Sequence, residues 1–280
     1  RGGLIGVDVF FVISGFLIST IIFDRLDRGC FSFAEFYSRR IKRLFPALLL
    51  LLIVIFIFGW FLLLSDEYKD LGKNAAAGAA FISNLVLWSD SGNYFGASSA
   101  MKPLLHLWSL GIEEQFYIVW PLLLWTLWRR RINPLWAVGV IGAISFGINV
   151  VGIAHYPIAS FYAPYTRFWE LCLGAALACL PFVTSVFSTS FERIDRNVYS
   201  WLGALLILVG LFWITKERAF PGWWALLPTL GTALIISGGS GAWLNRRVLS
   251  NRVVVWIGLI SFPLYLWHWP ILSFMHIFGT

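Results

Sequence analysis

Two adjacent carboxylates interrupt an apolar run in "HLWSLGIEEQFY", residues 106–117. On a helix, His106, Glu113 and Tyr117 fall close to one face, with Glu114 beside them. Such a pair can orient a histidine, work as acid and base, or bind a sugar hydroxyl. It can also serve as a purely structural polar network. A second cluster, "SRRIKR", places Arg39, Arg40 and Arg43 at spacings that share one helical surface. Guanidinium groups so arranged suit phosphate and pyrophosphate through bidentate hydrogen bonds, and they equally suit a topology anchor. In "YTRFWE", Arg167 and Glu170 stand three apart, either as an internal ion pair or as part of a site. His268 lies among Tyr265, Trp267 and Trp269 in "LYLWHWP", a setting that fits a structural or a functional histidine. Asp8 is the one carboxylate of "IGVDVFFVISGF". It serves either a site or the first turn of a helix, where an acidic group favours the helix dipole.

Several chemistries are excluded. His106, His155, His268 and His276 share no metal-ligand spacing of the H-E-x-x-H kind. There is no Walker or dinucleotide glycine pattern, and "VISGF" lacks the first glycine of a nucleophile elbow. No metal is expected.

The elements that position these groups follow from composition. Of 280 residues, 59% are hydrophobic and 12% charged, whereas a soluble domain carries about 25% charged residues. The excess arrives in blocks of spanning length, so an all-α, polytopic integral membrane helix bundle is expected. Apolar windows cover Val7–Phe23, Phe45–Leu64, Leu104–Trp128, Leu135–Ala154, Phe168–Val186, Trp201–Ile214, Trp223–Ser237 and Val253–Phe278. A helical span needs about 20 residues, which gives about eight full spans. Ala75–Trp88 is shorter and is expected to re-enter. That choice puts the clusters at 25–43, 129–131, 192–196 and 245–252 on one side, as the positive-inside rule favours. "RGGLIGVD" and "KPLLHLWSLGIEEQFY" then lie at the outer side and "SRRIKRLFP" inside.

The net charge of +7 is explained by those loops, and no nucleic-acid partner is expected. Cys172 and Cys179, on one helix, are separated by about 10 Å along its axis, beyond the roughly 7 Å Cα limit for a bridge. With Cys30 in a loop, all three thiols are expected to be free. The chain opens on Arg1 and closes inside an apolar run at Thr280, which reads as an internal fragment of a longer protein.

Five motifs in order resemble acyltransferase family 3, the OafA-like membrane O-acyltransferases. They are "GVDVFFVISGFLIS" (6–19), "FYSRRIKRLFPA" (36–47), "LLHLWSLGIEEQFYIVWP" (104–121), "YTRFWELCLGA" (165–175) and "SFPLYLWHWPI" (261–271). The resemblance covers essentially the whole chain, 1–280, as one transmembrane domain incomplete at its N-terminus. It implies about ten membrane helices and transfer of an acyl group, usually acetyl, from acyl-CoA to a hydroxyl of an envelope or exported glycan. It also implies a multi-pass protein of the bacterial cytoplasmic (inner) membrane. Acyl-CoA is a co-substrate and no cofactor is implied. Many such proteins carry an SGNH-type domain downstream, which this chain would lack. The family's main histidine lies upstream of residue 1. Leu107 replaces a common Thr, and Phe262–Pro263 replaces a common Tyr–Ser.

With the resemblance, the expected roles are as follows. Arg39, Arg40 and Arg43 hold the phosphates of CoA on the cytoplasmic side. Asp8, His106, Glu113 and Glu114 form the catalytic group, with Asp8 orienting the upstream histidine or Arg1, and Gly2, Gly3 and Gly6 permit close backbone approach there. Tyr117, Arg167, Glu170 and His268 line the acceptor site. Acceptors such as lipopolysaccharide O-antigen, peptidoglycan and exopolysaccharide all remain compatible. The competing class is a transporter or flippase of a lipid-linked glycan, which uses the same polar groups and basic loops; a non-catalytic acyl sensor is the third.

Overall fold

The computed structural model describes residues 5–90, 101–184, 195–215 and 218–279, with side chains throughout except at 181–184 and 278–279. Every regular element among them is a helix. The helices are α1 (Ile5–Asp27), α2 (Phe33–Leu62), α3 (Ser65–Ala79), α4 (Ser83–Ser89), α5 (Leu107–Arg129) and α6 (Pro134–His155). They continue with α7 (Pro157–Tyr162), α8 (Pro164–Thr184), α9 (Arg196–Trp213), α10 (Leu226–Gly238) and α11 (Arg252–Gly279). Local chemistry sets several boundaries. The Ser32 hydroxyl accepts from the Glu35 N–H at 3.4 Å to start α2. The Asn133 side chain accepts from the Leu135 N–H at 2.9 Å, with Pro134 at the first turn of α6. Asp195 accepts from the Asn197 N–H at 3.0 Å to cap α9.

Five of the eight expected spans meet the length and hydropathy of a membrane-crossing helix: α1, α2, α6, α9 and α11. The other three windows are helical but fall short. Two of them, α5 and α8, carry Glu113, Glu114 and Gln115, and Arg167 and Glu170, which lower their hydropathy. The third, α10, has 13 residues, too few for a hydrocarbon core about 30 Å thick. The apolar residues of α2 point outward as well as inward, with Ile53, Ile57 and Phe61 at 57, 54 and 77% exposure. A helix apolar all round is one made for lipid.

The described residues divide into two compact units, one drawn from 1–31 and 116–256, the other from 32–115 and 257–280. In the first, α8 packs along both α1 and α6, and α9 along α10. Small residues set the α1–α8 contact. A Cβ on Gly15 would lie 1.9 Å from the Leu171 carbonyl oxygen, and one on Gly174 would lie 1.9 Å from that of Val12. Each helix thus presses its backbone into the glycine of the other, and the two run parallel. Small residues that admit a neighbouring backbone are the standard device where lipid removes the hydrophobic drive for association.

In the second unit, Leu44, Leu48, Leu51 and Ile55 of α2 pack with Leu71 and Ala75 of α3, Leu107 and Leu110 of α5, and Leu266 of α11. The α3 helix runs back along α2: Tyr68 meets Phe56 and Trp60, while Phe81 meets Phe45 at 5.7 Å between centroids. At Phe81 the chain takes a left-handed turn, φ 57°, and α4 doubles back so that Asp90 pairs with Lys73 at 2.6 Å. The segment around Ala75–Trp88 is therefore a helical hairpin.

Candidate functional site

In the first unit, the parallel seating of α1 and α8 brings Asp8 onto Arg167. The Arg167 Nη2 donates to Asp8 Oδ1 at 2.8 Å, and Nη1 lies 3.0 Å from Glu170 Oε1. All three side chains are fully buried. The rings of Phe11, Phe161 and Phe220 surround the guanidinium at 5.7, 5.9 and 5.8 Å, within reach of cation–π attraction. The start of α8 is pinned from α6, where the Ser145 hydroxyl accepts from the Trp169 N–H at 3.0 Å and Asn149 Nδ2 donates to the Thr166 carbonyl at 3.0 Å.

This arrangement adds to the sequence reading of Asp8. The structure gives it a partner that the sequence reading did not name, Arg167, 159 residues away; Arg1, Gly2 and Gly3 lie outside the described residues. Arg167 and Glu170, expected to line the acceptor site, are buried beside Asp8. An ion pair taken out of water is costly to form and more costly to break, about 3–5 kcal/mol when one partner is lost. Asp8 Oδ2 and Glu170 Oε2 remain without hydrogen-bond partners among the described residues. Tyr117 is also committed: it is buried, and its hydroxyl is hydrogen-bonded to that of Ser14. About one and a half turns on along α1, Ser19 accepts from Trp120 Nε1 at 2.8 Å, so α5 is fastened to α1 by hydroxyls that the sequence did not single out.

The second unit holds the other candidates. Glu113 and Glu114 are 4 and 8% exposed, and the charges of Glu113, Arg40 and Arg43 all act on Glu114. The arginines assigned to the cytoplasmic side and the carboxylates assigned to the outer side thus share one neighbourhood. The reason is geometric: the second and third turns of α5 lie toward the first turns of α2. Gln115 braces this stretch of α5, donating to the Phe81 carbonyl and to Asn84 Oδ1, each at 2.8 Å. Arg39 is ion-paired with Glu35 one turn earlier. Arg43 is exposed and Arg40 half-buried.

His106 and His268 come together. Their rings are 5.7 Å apart at 74°, and Tyr265 lies against both, at 5.4 and 5.5 Å. Tyr265 donates its hydroxyl to the His106 carbonyl at 2.5 Å. Its single hydrogen being used there, the Ser109 hydroxyl at 2.5 Å is the donor to Tyr265. Trp269 Nε1 donates to the Lys102 carbonyl at 2.9 Å. His106 is 3% exposed, and neither ring nitrogen makes a hydrogen bond among the described residues. His268 is exposed, with Nδ1 2.6 Å from the Tyr265 carbonyl. Ser109 and Tyr265 were not chosen from sequence, although each stands three residues from a chosen histidine, the spacing of neighbours on a helix. Among the described residues no group of three or more His, Cys, Asp or Glu could hold a metal ion.

The chemistry available is therefore of two kinds. A buried triad of Asp8, Arg167 and Glu170 can hold helices together, and a second set of guanidinium, carboxylate, imidazole and hydroxyl groups can bind anions and move protons.

Known proteins agree in kind. The chain is 35% identical over 98% of its length to a Staphylococcus aureus (strain COL) protein named "Putative O-acetyltransferase", covering 47% of that protein. It is 31% identical, again over 98% of its length, to the Peptidoglycan O-acetyltransferase OatA of Listeria monocytogenes, covering 45% of it. A Haemophilus influenzae protein without an assigned role is 33% identical over 82% of the chain and is covered over 96%. The chain thus spans about half the length of the first two relatives. No solved structure matches. The family model described as "Acyltransferase domain" matches residues 1–280, and the chain belongs to that acyltransferase family.

Proposed function

We propose that the protein is a membrane O-acetyltransferase that takes an acetyl group from cytoplasmic acetyl-CoA and delivers it to a hydroxyl of an envelope or exported glycan, from the bacterial inner membrane. The observation that carries this reading is the family match along the entire chain, together with relatives named for O-acetyl transfer. The Listeria relative's name makes peptidoglycan the first acceptor to try. Arg43, exposed one turn after Arg39 and acting on buried Glu114, is the group we assign to the CoA phosphates, with Arg40 beside it. Glu113 and Glu114 then lie next to the donor, where they align and balance those arginines.

The test uses the full-length protein in inverted membrane vesicles supplied with acetyl-labelled acetyl-CoA. Label is expected in glycan, reduced at least tenfold by Arg43→Ala, as loss of one charge-assisted bond of about 1.5–3 kcal/mol requires. Absence of label from well-folded protein with acceptor present would refute the reading. Unchanged labelling in Arg43→Ala and Glu113→Gln would keep the enzyme and remove these two assignments.

A further inference from the structure

We propose that Phe81, at the tip of the α3–α4 hairpin, and Gln115 of α5 are positioning residues that set the donor arginines Arg40 and Arg43 against Glu113 and Glu114. This rests on the O-acetyl transfer reading above, and both residues act through those groups rather than on the substrate.

Phe81 stands where glycine is usual. At the end of α3 the Ile82 N–H donates to the Ala77 carbonyl at 2.9 Å and the Phe81 N–H to that of Gly78 at 3.1 Å. In this double cap the residue after the helix takes left-handed angles, which glycine adopts without steric cost. Here that residue carries a large side chain, at φ 57°, and is strained. Strain of this kind persists only where the surroundings over-determine it, and both ends of Phe81 are in use. Its ring meets that of Phe45 at 5.7 Å and 82°, two residues beyond Arg43 on α2. Its carbonyl accepts from Gln115 Nε2 at 2.8 Å, one residue beyond Glu114 on α5. One residue thus touches both arms of the cluster.

Each arm needs the support. Pro46 lies inside α2 and has no N–H, so the Lys42 carbonyl loses its intrahelical partner. The helix is therefore weakest over Lys42–Pro46, the turn that carries Arg43, and the Phe81 ring against Phe45 fixes its roll there. On α5 the tip is seated at a glycine. A Cβ on Gly111 would lie 2.8 Å from Asn84 Oδ1 and 3.1 Å from the Phe81 carbonyl oxygen. Asn84, fully buried, accepts the second hydrogen of the Gln115 amide at 2.8 Å and donates to its Oε1 at 3.4 Å. These bonds close only when α5 stands at this height and angle. Gln115 thereby sets where the two preceding carboxylates lie, and Arg40 and Arg43 act on Glu114 at that place.

The experiment measures acetyl transfer by the full-length protein in inverted vesicles over a range of acetyl-labelled acetyl-CoA concentrations. Phe81→Gly is the informative variant, because it removes the ring while relieving the backbone. We expect KM for acetyl-CoA to rise about tenfold, as loosening one charge-assisted bond requires. The kcat should stay within threefold of the parent, and the melting temperature should hold or rise. Phe81→Tyr keeps the ring and should keep the parental KM. Gln115→Met, which keeps the length but neither donor, should raise KM as Phe81→Gly does. Added to Arg43→Ala, Phe81→Gly should raise KM little further, whereas a purely structural role would add its full effect. A KM for Phe81→Gly within twofold of the parent would overturn the proposal and leave the O-acetyltransferase reading standing. So would a loss of kcat at constant KM, or a lowered melting temperature in Phe81→Gly, either of which makes the tip a packing element. A parental KM in Arg43→Ala would remove the donor assignment and this proposal with it. No transfer by the parent protein would remove both readings.

Discussion

Replacing Gly174 by Ala tests the link between backbone packing and the buried ion triad. The new Cβ would sit 1.9 Å from the Val12 carbonyl oxygen, where a carbon normally comes no closer than about 3.3 Å. Because the obstruction is backbone, α1 and α8 must part by about 1.4 Å, the difference between those distances. Overpacking of this kind costs about 1–3 kcal/mol. The same displacement carries Asp8 away from Arg167, stretching a 2.8 Å bond beyond hydrogen-bonding range. A bond to a charged group contributes about 1.5–3 kcal/mol, so the combined loss is about 2.5–6 kcal/mol. Gly147→Ala is the control, since its Cβ would meet nothing within 4 Å; there the better helix propensity of Ala acts alone, worth up to about 1 kcal/mol in favour. Reversible unfolding by SDS titration from mild-detergent micelles reads both. Gly174→Ala should further blunt the effect of Asp8→Asn, because the pair is already parted. Equal stability of the two glycine variants, or an undiminished Asp8→Asn effect, would refute the coupling.

The ion pair itself is tested by a double-mutant cycle. Asp8→Asn and Arg167→Met should each cost about 3–5 kcal/mol in the same titration, and the double variant should cost clearly less than their sum; strict additivity would show that the two do not depend on each other. Of the three cysteines, Cys30 is exposed while Cys172 and Cys179 are buried. A membrane-impermeant maleimide should therefore label one thiol per chain in inverted vesicles and none in intact spheroplasts, as counted by mass spectrometry.

The sequence made the helices legible because apolar runs and caps are local signals. Pro134 following Asn133 announces the start of α6, and the Arg167–Glu170 pair is written in a spacing of three. The hairpin around Phe81 was legible only as a segment too short to span and rich in small residues. What periodicity does not encode is the identity of a distant partner. Asp8 looked like a helix-start carboxylate or a histidine's companion, and nothing near it points to a guanidinium on α8. Gly15 and Gly174 carry the contact that joins them, yet this chain has 25 glycines and no local rule ranks these two first. Charge asymmetry ordered the loops but not the depth of groups inside the helices. That is why Arg43 and Glu114 were assigned to opposite sides, although α5 brings them together. The contact between His106 and His268 was hidden for a similar reason: the two rings meet only once the chain is folded.

The parallel pairing of α1 with α8 has a consequence for synthesis. α1 cannot form a hairpin with α8, because helices that point the same way need intervening chain to bring them round. Asp8 and Arg167 are 159 residues apart, and at about 5–20 residues per second the carboxylate waits about 8–30 s for its guanidinium to be made. Throughout that interval α1 must remain inserted while carrying a group whose placement in lipid costs about 2.5–3.5 kcal/mol. Its unbroken apolar run, Val9–Ile13 and onward, offsets this charge and keeps the helix in the bilayer before any tertiary contact exists. A ribosome that stalls before α8 would leave Asp8 unmatched in the membrane, a state open to recognition by quality-control proteases.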